Sequence, residues 1–228
     1  MTTLALTCPS WTAELPAPLH GEVEARALPA RPGREELDPL LAPADGPAPT
    51  RLVIAGTDAD LAAVVLRLLR TERLADVAVA YLPADPDSAV AAIWTLPTTP
   101  AAAATLALHG EPDRVPLVRD DAGGVLLGRG ELRPLRGVVY CDDQLVLRGQ
   151  ANRLVVTPAA PAGVDVRASR VGLFGLLGRR THAALGRAVQ IGCLATTVLA
   201  DGVPHPRPVT RWTWYKHTED LRLIRGLP

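Results

Sequence analysis

The residues of this chain that could do chemistry lie in two short turns, each of which directly follows an apolar run. They are Gly56, Thr57, Asp58 and Asp60 in the first turn, and Asp85, Asp87 and Ser88 in the second. A turn between a parallel strand and a helix aims free backbone N–H groups at one spot, which suits a phosphate. Because neighbouring parallel strands end at the same edge of an open sheet, we expect both turns to face one cleft.

The aspartates of these turns allow two interpretations. As ligands of Mg²⁺, Asp58, Asp60, Asp85 and Asp87 would make the cleft suitable for a nucleotide. As structural residues, Asp58 or Asp60 would cap the first helix, and Asp85 would open a turn in which Asp87 or Ser88 caps the next helix. We favour the structural interpretation and assign no metal ligand.

Alternating strands and helices must position these turns. The apolar patterns predict strands over 3–8, 21–28, 51–55 and 77–82, and helices over 34–41, 61–73 and 88–96. This alternation is typical of a parallel sheet covered by helices. The sequence therefore predicts an α/β N-terminal lobe with a parallel sheet, which would form a nucleotide-binding-like domain over residues 1–110.

The pattern changes after about residue 110. Short apolar runs between residues 115 and 166 are separated by Gly, Pro or Asp, which is typical of an antiparallel sheet. We expect one helix over 173–185 and a return to strands over 189–199 and 211–224. Residues 111–228 are thus predicted to form a β-rich, antiparallel, β-sandwich-like C-terminal lobe.

Two other features could carry chemistry but have simpler explanations. Asp142 and Asp143 could be a catalytic carboxylate pair, but we interpret them as a hairpin turn. Trp212 and Trp214 alternate along one predicted strand face, with Arg211, Tyr215 and His217 on the other. This segment could bind a lipid headgroup by cation–π contacts and hydrogen bonds, although we favour the interpretation that it is a core strand. The histidines lack ligand spacing, and none is assigned a chemical role.

Composition excludes several classes of protein. The 228 residues carry 24 basic and 24 acidic side chains, so the net charge requires neither nucleic acid nor an anionic membrane. Lys216 is the single lysine, which excludes a P-loop ATPase. Three widely spaced cysteines form no zinc or disulfide pattern, and no apolar run is long enough to span a membrane. We expect a cytoplasmic protein with no transmembrane segment and no nucleic-acid partner.

The first turn resembles the diacylglycerol kinase catalytic domain family, whose more distant relatives include the NAD kinases. That family carries a strand, GGDGT and a helix, and VIAGTDADLAAVV places Gly56 and Asp58 on its first glycine and its aspartate. Thr57, Ala59 and Asp60 replace the rest. The family's second loop reads approximately IPLGTGNDFARALGLP, and LPADPDSAVAAIWTLP lies under it without a gap, although the GTGND residues are absent.

The resemblance extends along most of residues 50–228. ATLALHGEPDRVPLVRDDAGGVLL is similar to the family's passage into its second domain. LADGVPHPRPVTRWTWYKHTEDLRLI is similar to its closing DGE strand pair, with Asp201 and Gly202 present and Val203 in place of the glutamate. On this basis the chain is identified as a divergent bacterial member that resembles actinobacterial proteins.

The resemblance implies a lipid-kinase architecture, but the substitutions argue against phosphoryl transfer. Side chains at Thr57, Ala59 and Asp85 oppose the positive φ angles and close approach that glycines allow, and Pro86 removes an N–H donor. We therefore expect a pseudokinase that binds a lipid, another amphipathic small molecule or a working kinase, with a homodimer as a further possibility. The alternative is an active lipid kinase that uses Mg-ATP to phosphorylate diacylglycerol or a similar lipid hydroxyl.

Overall fold

The computed structural model describes residues 2–43, 47–171 and 179–226, and these residues divide into two compact units. The first unit contains the chain up to Val115 and the residues from Glu219 onward, and the second contains Pro116–Thr218. This division differs from the sequence-based boundary at residue 110, because the strands on either side of the second unit both pair within the sheet of the first.

The first unit is built on one mixed sheet. Within the described residues its strand order is β2-β1-β3-β4-β18-β5. The strands are β1 (Thr3–Thr7), β2 (Glu24–Ala27), β3 (Arg51–Gly56), β4 (Ala78–Pro83), β5 (Glu111–Val115) and β18 (Leu221–Gly226). Neighbours are parallel except β5, which runs antiparallel to β18. The predicted α/β lobe is confirmed, with an antiparallel edge strand that the sequence pattern did not indicate.

Four helices among the described residues belong to this unit: α1 (Arg34–Leu41), α2 (Asp58–Arg70), α3 (Ala89–Trp94) and α4 (Pro100–His109). All six residues of β3 and of β4 are buried, which fits strands with both faces covered. Helix α2 buries Leu61, Val64, Val65 and Leu68, which lie on one face at helical spacing. The predicted strand-turn-helix order is therefore present.

Arg51 begins the central strand β3 and is buried. Its guanidinium donates to the carbonyl oxygens of Ala107, Leu108 and Gly110, at 2.7, 2.6 and 3.0 Å. These carbonyls belong to the last turn of α4 and the residue after it, where main-chain acceptors lack partners within the helix. Arg51, the first residue of β3, thus supplies hydrogen-bond donors to the C-terminal end of α4.

The second unit consists of antiparallel strands, and its described residues form two sheets. One sheet has the order β10-β9-β14-β17-β6-β7, and the other has the order β13-β12-β11-β8-β15-β16. Their bounds are β6 (Val118–Asp120), β7 (Val125–Leu126), β8 (Gly130–Leu132), β9 (Leu135–Cys141), β10 (Gln144–Ala151), β11 (Arg153–Ala159), β12 (Gly163–Val171), β13 (Arg179–Gly186), β14 (Ala188–Thr196), β15 (Val198–Ala200), β16 (Val203–Pro204) and β17 (Val209–Lys216). The predicted β-rich lobe is confirmed.

One predicted element is wrong. The helix expected over 173–185 is contradicted from residue 179 onward, where the chain forms strand β13 paired antiparallel with β12. Residues 172–178 lie outside the described residues. The alternating exposure at 183–186 shows a strand with one covered face, a pattern that the apolar content alone did not distinguish from a helix.

Two other interpretations agree with the structure. Asp142 and Asp143 connect β9 to β10 as a hairpin turn, with Asp142 at φ 50°. The Asp142 carboxylate accepts hydrogen bonds from the amides of Arg187 and Ala188, so it has a structural partner. Trp212 and Trp214 are buried in the core between strands of the second unit, as expected for a core strand.

Candidate functional site

The first turn is a helix cap. Thr57 is the N-cap of α2, and its hydroxyl accepts from the amide of Asp60 at 3.2 Å. In return the Asp60 carboxylate accepts from the amide and the hydroxyl of Thr57, at 2.9 and 2.8 Å. This reciprocal pair is a capping box, in which the orphan amides of the helix start are satisfied by the chain itself.

Asp60 also joins two more loops to this turn. Its buried carboxylate accepts from the Ser10 hydroxyl at 3.1 Å and from the Arg31 amide at 2.7 Å. Burial alone would raise the pKa of Asp60, but the hydrogen bonds from Arg31, Thr57 and Ser10 together hold it below its ordinary value. Asp60 is therefore an ionised structural anion at neutral pH.

Gly56 has a packing role in this turn. A Cβ at Gly56 would lie 2.8 Å from Oδ2 of Asp60 and 3.2 Å from Cβ of Cys8. Burial of Cys8, together with the negative charge of Asp60, raises the pKa of the Cys8 thiol to about 12. The glycine thus makes room for a carboxylate, which occupies the space over the end of β3.

Asp58 connects the first turn to the second. Its carboxylate accepts from the Ser88 hydroxyl at 2.5 Å, from the amide of Ala89 at 2.9 Å and from the amide of Val90 at 3.3 Å. The hydroxyl of Tyr81 in β4 donates to the same carboxylate at 2.9 Å. The two turns therefore adjoin, and a carboxylate of the chain occupies the amides at the start of α3.

The second turn is closed by its own residues. The Asp85 carboxylate accepts from the amide of Asp87 at 2.8 Å, and the Asp85 carbonyl accepts from the amide of Ser88 at 3.1 Å. Ser88 is the N-cap of α3, and its hydroxyl accepts from the amide of Ala91 at 3.0 Å. Asp85 and Asp87 are exposed, and none of the described residues of either turn has a positive φ.

The four aspartates of the two turns do not form a cluster. Across the described ranges, no group of three or more His, Cys, Asp or Glu side chains has an arrangement that could hold a metal ion. Asp58 and Asp60 accept from different loops, and Asp85 accepts within its own turn. The N-cap of α2 is Thr57, so neither Asp58 nor Asp60 holds the N-cap position expected from the sequence, although Asp60 completes the capping box from the third helical position. At α3, Ser88 and not Asp87 is the N-cap.

Asp201 and Gly202 lie in the second unit, in the turn of the β15–β16 hairpin. Their φ angles are 48° and 82°, as a two-residue turn of the Asp-Gly type requires. The Asp201 carboxylate accepts from three successive amides, those of Leu127, Gly128 and Arg129, at 2.9, 2.8 and 2.9 Å. This contact fastens the hairpin to the segment that leads into β8.

Sequence reasoning missed several residues that complete these loops. Tyr81, Ser10 and Arg31 all donate to Asp58 or Asp60 from segments that are distant in sequence. The sequence contained one indication that Tyr81 has a polar partner: it is the lone hydroxyl-bearing residue in the apolar run before the second turn. Burial, followed by the charge of Asp58, raises the pKa of Tyr81 well above its ordinary value, so it acts as a hydrogen-bond donor.

Comparison with known proteins identifies the fold. No family model matches the sequence, and a search of curated proteins finds no match. A crystal structure described as a diacylglycerol kinase from Bacillus anthracis str. Sterne is similar at 12% identity and a TM-score of 0.70, covering 99% of this chain and 97% of that chain. An NAD kinase from Archaeoglobus fulgidus in complex with ATP is similar at 14% identity and a TM-score of 0.59, covering 99% and 94%. The chain therefore has the fold shared by diacylglycerol kinase-like and NAD kinase-like proteins.

Proposed function

We propose that this chain is a pseudokinase: a protein with the fold of a lipid kinase that does not transfer phosphate. One observation carries the proposal. The Asp58 carboxylate takes the Ser88 hydroxyl and the amides of Ala89 and Val90, so the polar groups of the second turn are already bound to an internal anion.

Electrostatics supports this reading of Asp58. A phosphate charge about 4 Å from a carboxylate is repelled by about 1 kcal/mol in water and by about 4 kcal/mol at a partly buried site. Asp58 in the first turn is half-buried, and Asp85 and Asp87 place two exposed carboxylates in the second turn. A single new hydrogen bond returns only about 0.5–1.5 kcal/mol. A triphosphate would therefore gain less free energy from a hydrogen bond in these turns than it loses to repulsion by the carboxylates.

The competing function is an active, Mg-ATP-dependent kinase of diacylglycerol or a similar lipid hydroxyl. The fold shared with the B. anthracis and A. fulgidus proteins is the observation that favours it. In that case Asp58 would have to leave the amides of the second turn and act on the nucleotide, directly or through Mg²⁺. The two functions differ in whether the chain binds nucleotide at all.

A thermal-shift titration with Mg-ATP separates them. A ligand at 100 times its dissociation constant stabilises a protein by about 2.7 kcal/mol, which corresponds to several degrees in Tm. We expect no shift with Mg-ATP and no transfer of the γ-phosphoryl group to dioleoylglycerol in mixed micelles. Phosphatidate formation above background that Asp58→Asn abolishes and Asp85→Asn preserves would overturn the proposal.

The same two variants test the structural role of Asp58. Asp58→Asn removes the charge that holds the second turn and is expected to lower stability by about 1–3 kcal/mol, because buried donors lose a charged acceptor. Asp85→Asn keeps an acceptor in an exposed turn and should change stability by less than about 0.5 kcal/mol. Urea denaturation followed by circular dichroism measures both values.

The retained role is proposed to be binding, either of a lipid or other amphipathic molecule, or of a working kinase. Flotation with phosphatidylcholine vesicles that contain diacylglycerol tests whether the chain binds lipid. We place this function in the cytoplasm, and the free thiols of Cys8, Cys141 and Cys193 support a reducing compartment. No helix in the described part of the chain is long and apolar enough to cross a membrane.

A further inference from the structure

The exposed edge of the first unit's sheet is strand β2. It is the terminal strand in the sheet order, and all four of its residues, Glu24–Ala27, are exposed. The opposite edge strand, β5, is protected by Pro112 within the strand and by an irregular register with β18. Strand β2 has neither a proline nor a bulge; it is short and carries two charged side chains, and within the described residues no strand pairs with its outer side.

The main-chain groups on this outer side can be identified. Thr7 of β1 is the register partner of Ala27, and the amide of Leu28 donates to the carbonyl of Thr7 at 2.9 Å. Alternate residues of a parallel strand bond to the same neighbour, so Arg26 and Leu28 face β1. The N–H and C=O groups of Ala25 and Ala27 therefore point outward. The Arg26 guanidinium bends round to the Ala25 carbonyl, at 3.4 Å.

The side chains of this edge are complementary to themselves. Glu24 and Arg26 stand on the same face of β2, on either side of Ala25, and form an exposed ion pair with each other. If two copies of β2 run antiparallel about a twofold axis at Ala25, Glu24 of each copy lies opposite Arg26 of the other. Opposite charges placed across an antiparallel pair are stabilising, and like charges are destabilising.

We propose that β2 forms an isologous dimer interface, in which the edge strands of two copies of this chain pair antiparallel about Ala25. Each Arg26 guanidinium leaves the Ala25 carbonyl of its own chain, so that the two Ala25 residues exchange both of their outward hydrogen bonds. The Glu24–Arg26 pairs flank them at the positions where side chains approach most closely. The two six-stranded sheets thereby become continuous. The proposal is independent of whether the chain binds nucleotide.

Sedimentation velocity over a concentration series tests this interface. We expect a monomer–dimer equilibrium for the natural chain. Glu24→Arg and Arg26→Glu each convert both attractive pairs into repulsive ones, so each should weaken dimerisation by about tenfold or more. Because one variant then carries two positive residues and the other two negative residues, mixing them should restore a heterodimer. The double variant, which carries Glu24→Arg and Arg26→Glu in the same chain, should dimerise like the natural chain.

Two further variants separate the interface from general effects. Ala25→Pro removes an outward N–H that β1 does not use, and should abolish dimerisation with the circular dichroism spectrum unchanged. Arg167→Glu breaks an ion pair with the same two-residue spacing, between the exposed Arg167 and the partly covered Asp165 on β12 of the second unit, and should leave dimerisation unchanged. A monomer at every concentration would overturn the proposal. So would a dimer that is insensitive to the charge reversals and to Ala25→Pro, since it would form elsewhere or through a different strand.

Discussion

Aspartates acting as internal anions hold the loops of this protein. Asp58 and Asp60 each accept from amides and hydroxyls of separate loops in the first unit, and Asp201 accepts from three successive amides in the second. Hydrogen bonds to a charged acceptor contribute more than neutral ones, about 1.5–3 kcal/mol against about 1. Asp58, Asp60 and Asp201 are therefore engaged in holding loops together.

Asp60→Asn should destabilise the protein in a pH-dependent way. Its folded-state pKa lies below its unfolded value, so the ionised group contributes stability that is present above pH about 4 and is lost as the pH falls through the folded pKa. We expect the natural chain to exceed the variant by about 1–3 kcal/mol at pH 7. Urea denaturation between pH 7 and pH 3 should show the difference shrinking at the acidic end.

Asp87→Asn is the control for this pH profile, because Asp87 is exposed in a neighbouring turn. It should track the natural chain across the whole range. A stability difference between the natural chain and Asp60→Asn that stays constant down to pH 3 would show that Asp60 acts through shape alone, without its charge.

At the scale of elements, the strands of the second unit meet in a core with little spare room. Trp214 in β17 is fully buried, and Trp212 packs edge-on against it with ring centroids 5.9 Å apart. The backbone of β8 approaches the Trp214 ring at Gly130, where a Cβ would lie 2.6 Å from the indole. The indole therefore sets which residue β8 can carry at this position.

Gly130→Ala should destabilise the second unit by about 1–3 kcal/mol, because the added methyl overlaps a buried ring that cannot move aside. Gly192→Ala in β14 is the matched control, since its Cβ would meet open space. We expect that control to change stability by less than about 0.5 kcal/mol. Tryptophan fluorescence in a urea titration measures both, and equal stability of the two variants would contradict the packing argument.

At the scale of the whole molecule, the two units have cores of different construction. The first unit buries a mixed sheet under helices, and the second buries residues from two antiparallel sheets. Each contains buried thiols: Cys8 lies in the first unit and Cys141 in the second, whereas Cys193 of the second is half-buried. Cysteine reactivity therefore reports on the two units separately.

We expect the natural protein to react slowly with Ellman's reagent at pH 8, with Cys193 modified first. Burial, reinforced by nearby carboxylates, raises the pKa of Cys8 to about 12 and that of Cys141 to about 11, so little thiolate is present at either. In denaturant all three thiols should react at once. Absorbance kinetics with mass-spectrometric assignment measures this, and rapid modification of Cys8 in the folded protein would contradict the buried site.

The sequence predicted the elements that depend on local patterns. The run RLVIA, the turn after it and the apolar spacing from Leu61 to Leu68 predicted β3 and α2, because a buried strand and a one-faced helix leave distinct periodicities. Local patterns also predicted the Asp142 turn, from its two aspartates between apolar runs, and the burial of Trp212 and Trp214, from their alternation along one strand. The helix expected over 173–185 was wrong from residue 179 onward because short apolar runs fit both kinds of element.

What the sequence by itself determined is the strand-turn-helix order around β3 and β4 and the kinds of side chain in both turns, since these are properties of neighbouring residues. Only the tertiary structure decided what those side chains contact. Asp58 meets the amides of α3 and Arg51 meets the end of α4 across large separations in sequence. Strand β18 likewise returns to pair with β4. Such contacts form where folding brings distant segments together and buried polar groups must find partners, so no local pattern records them.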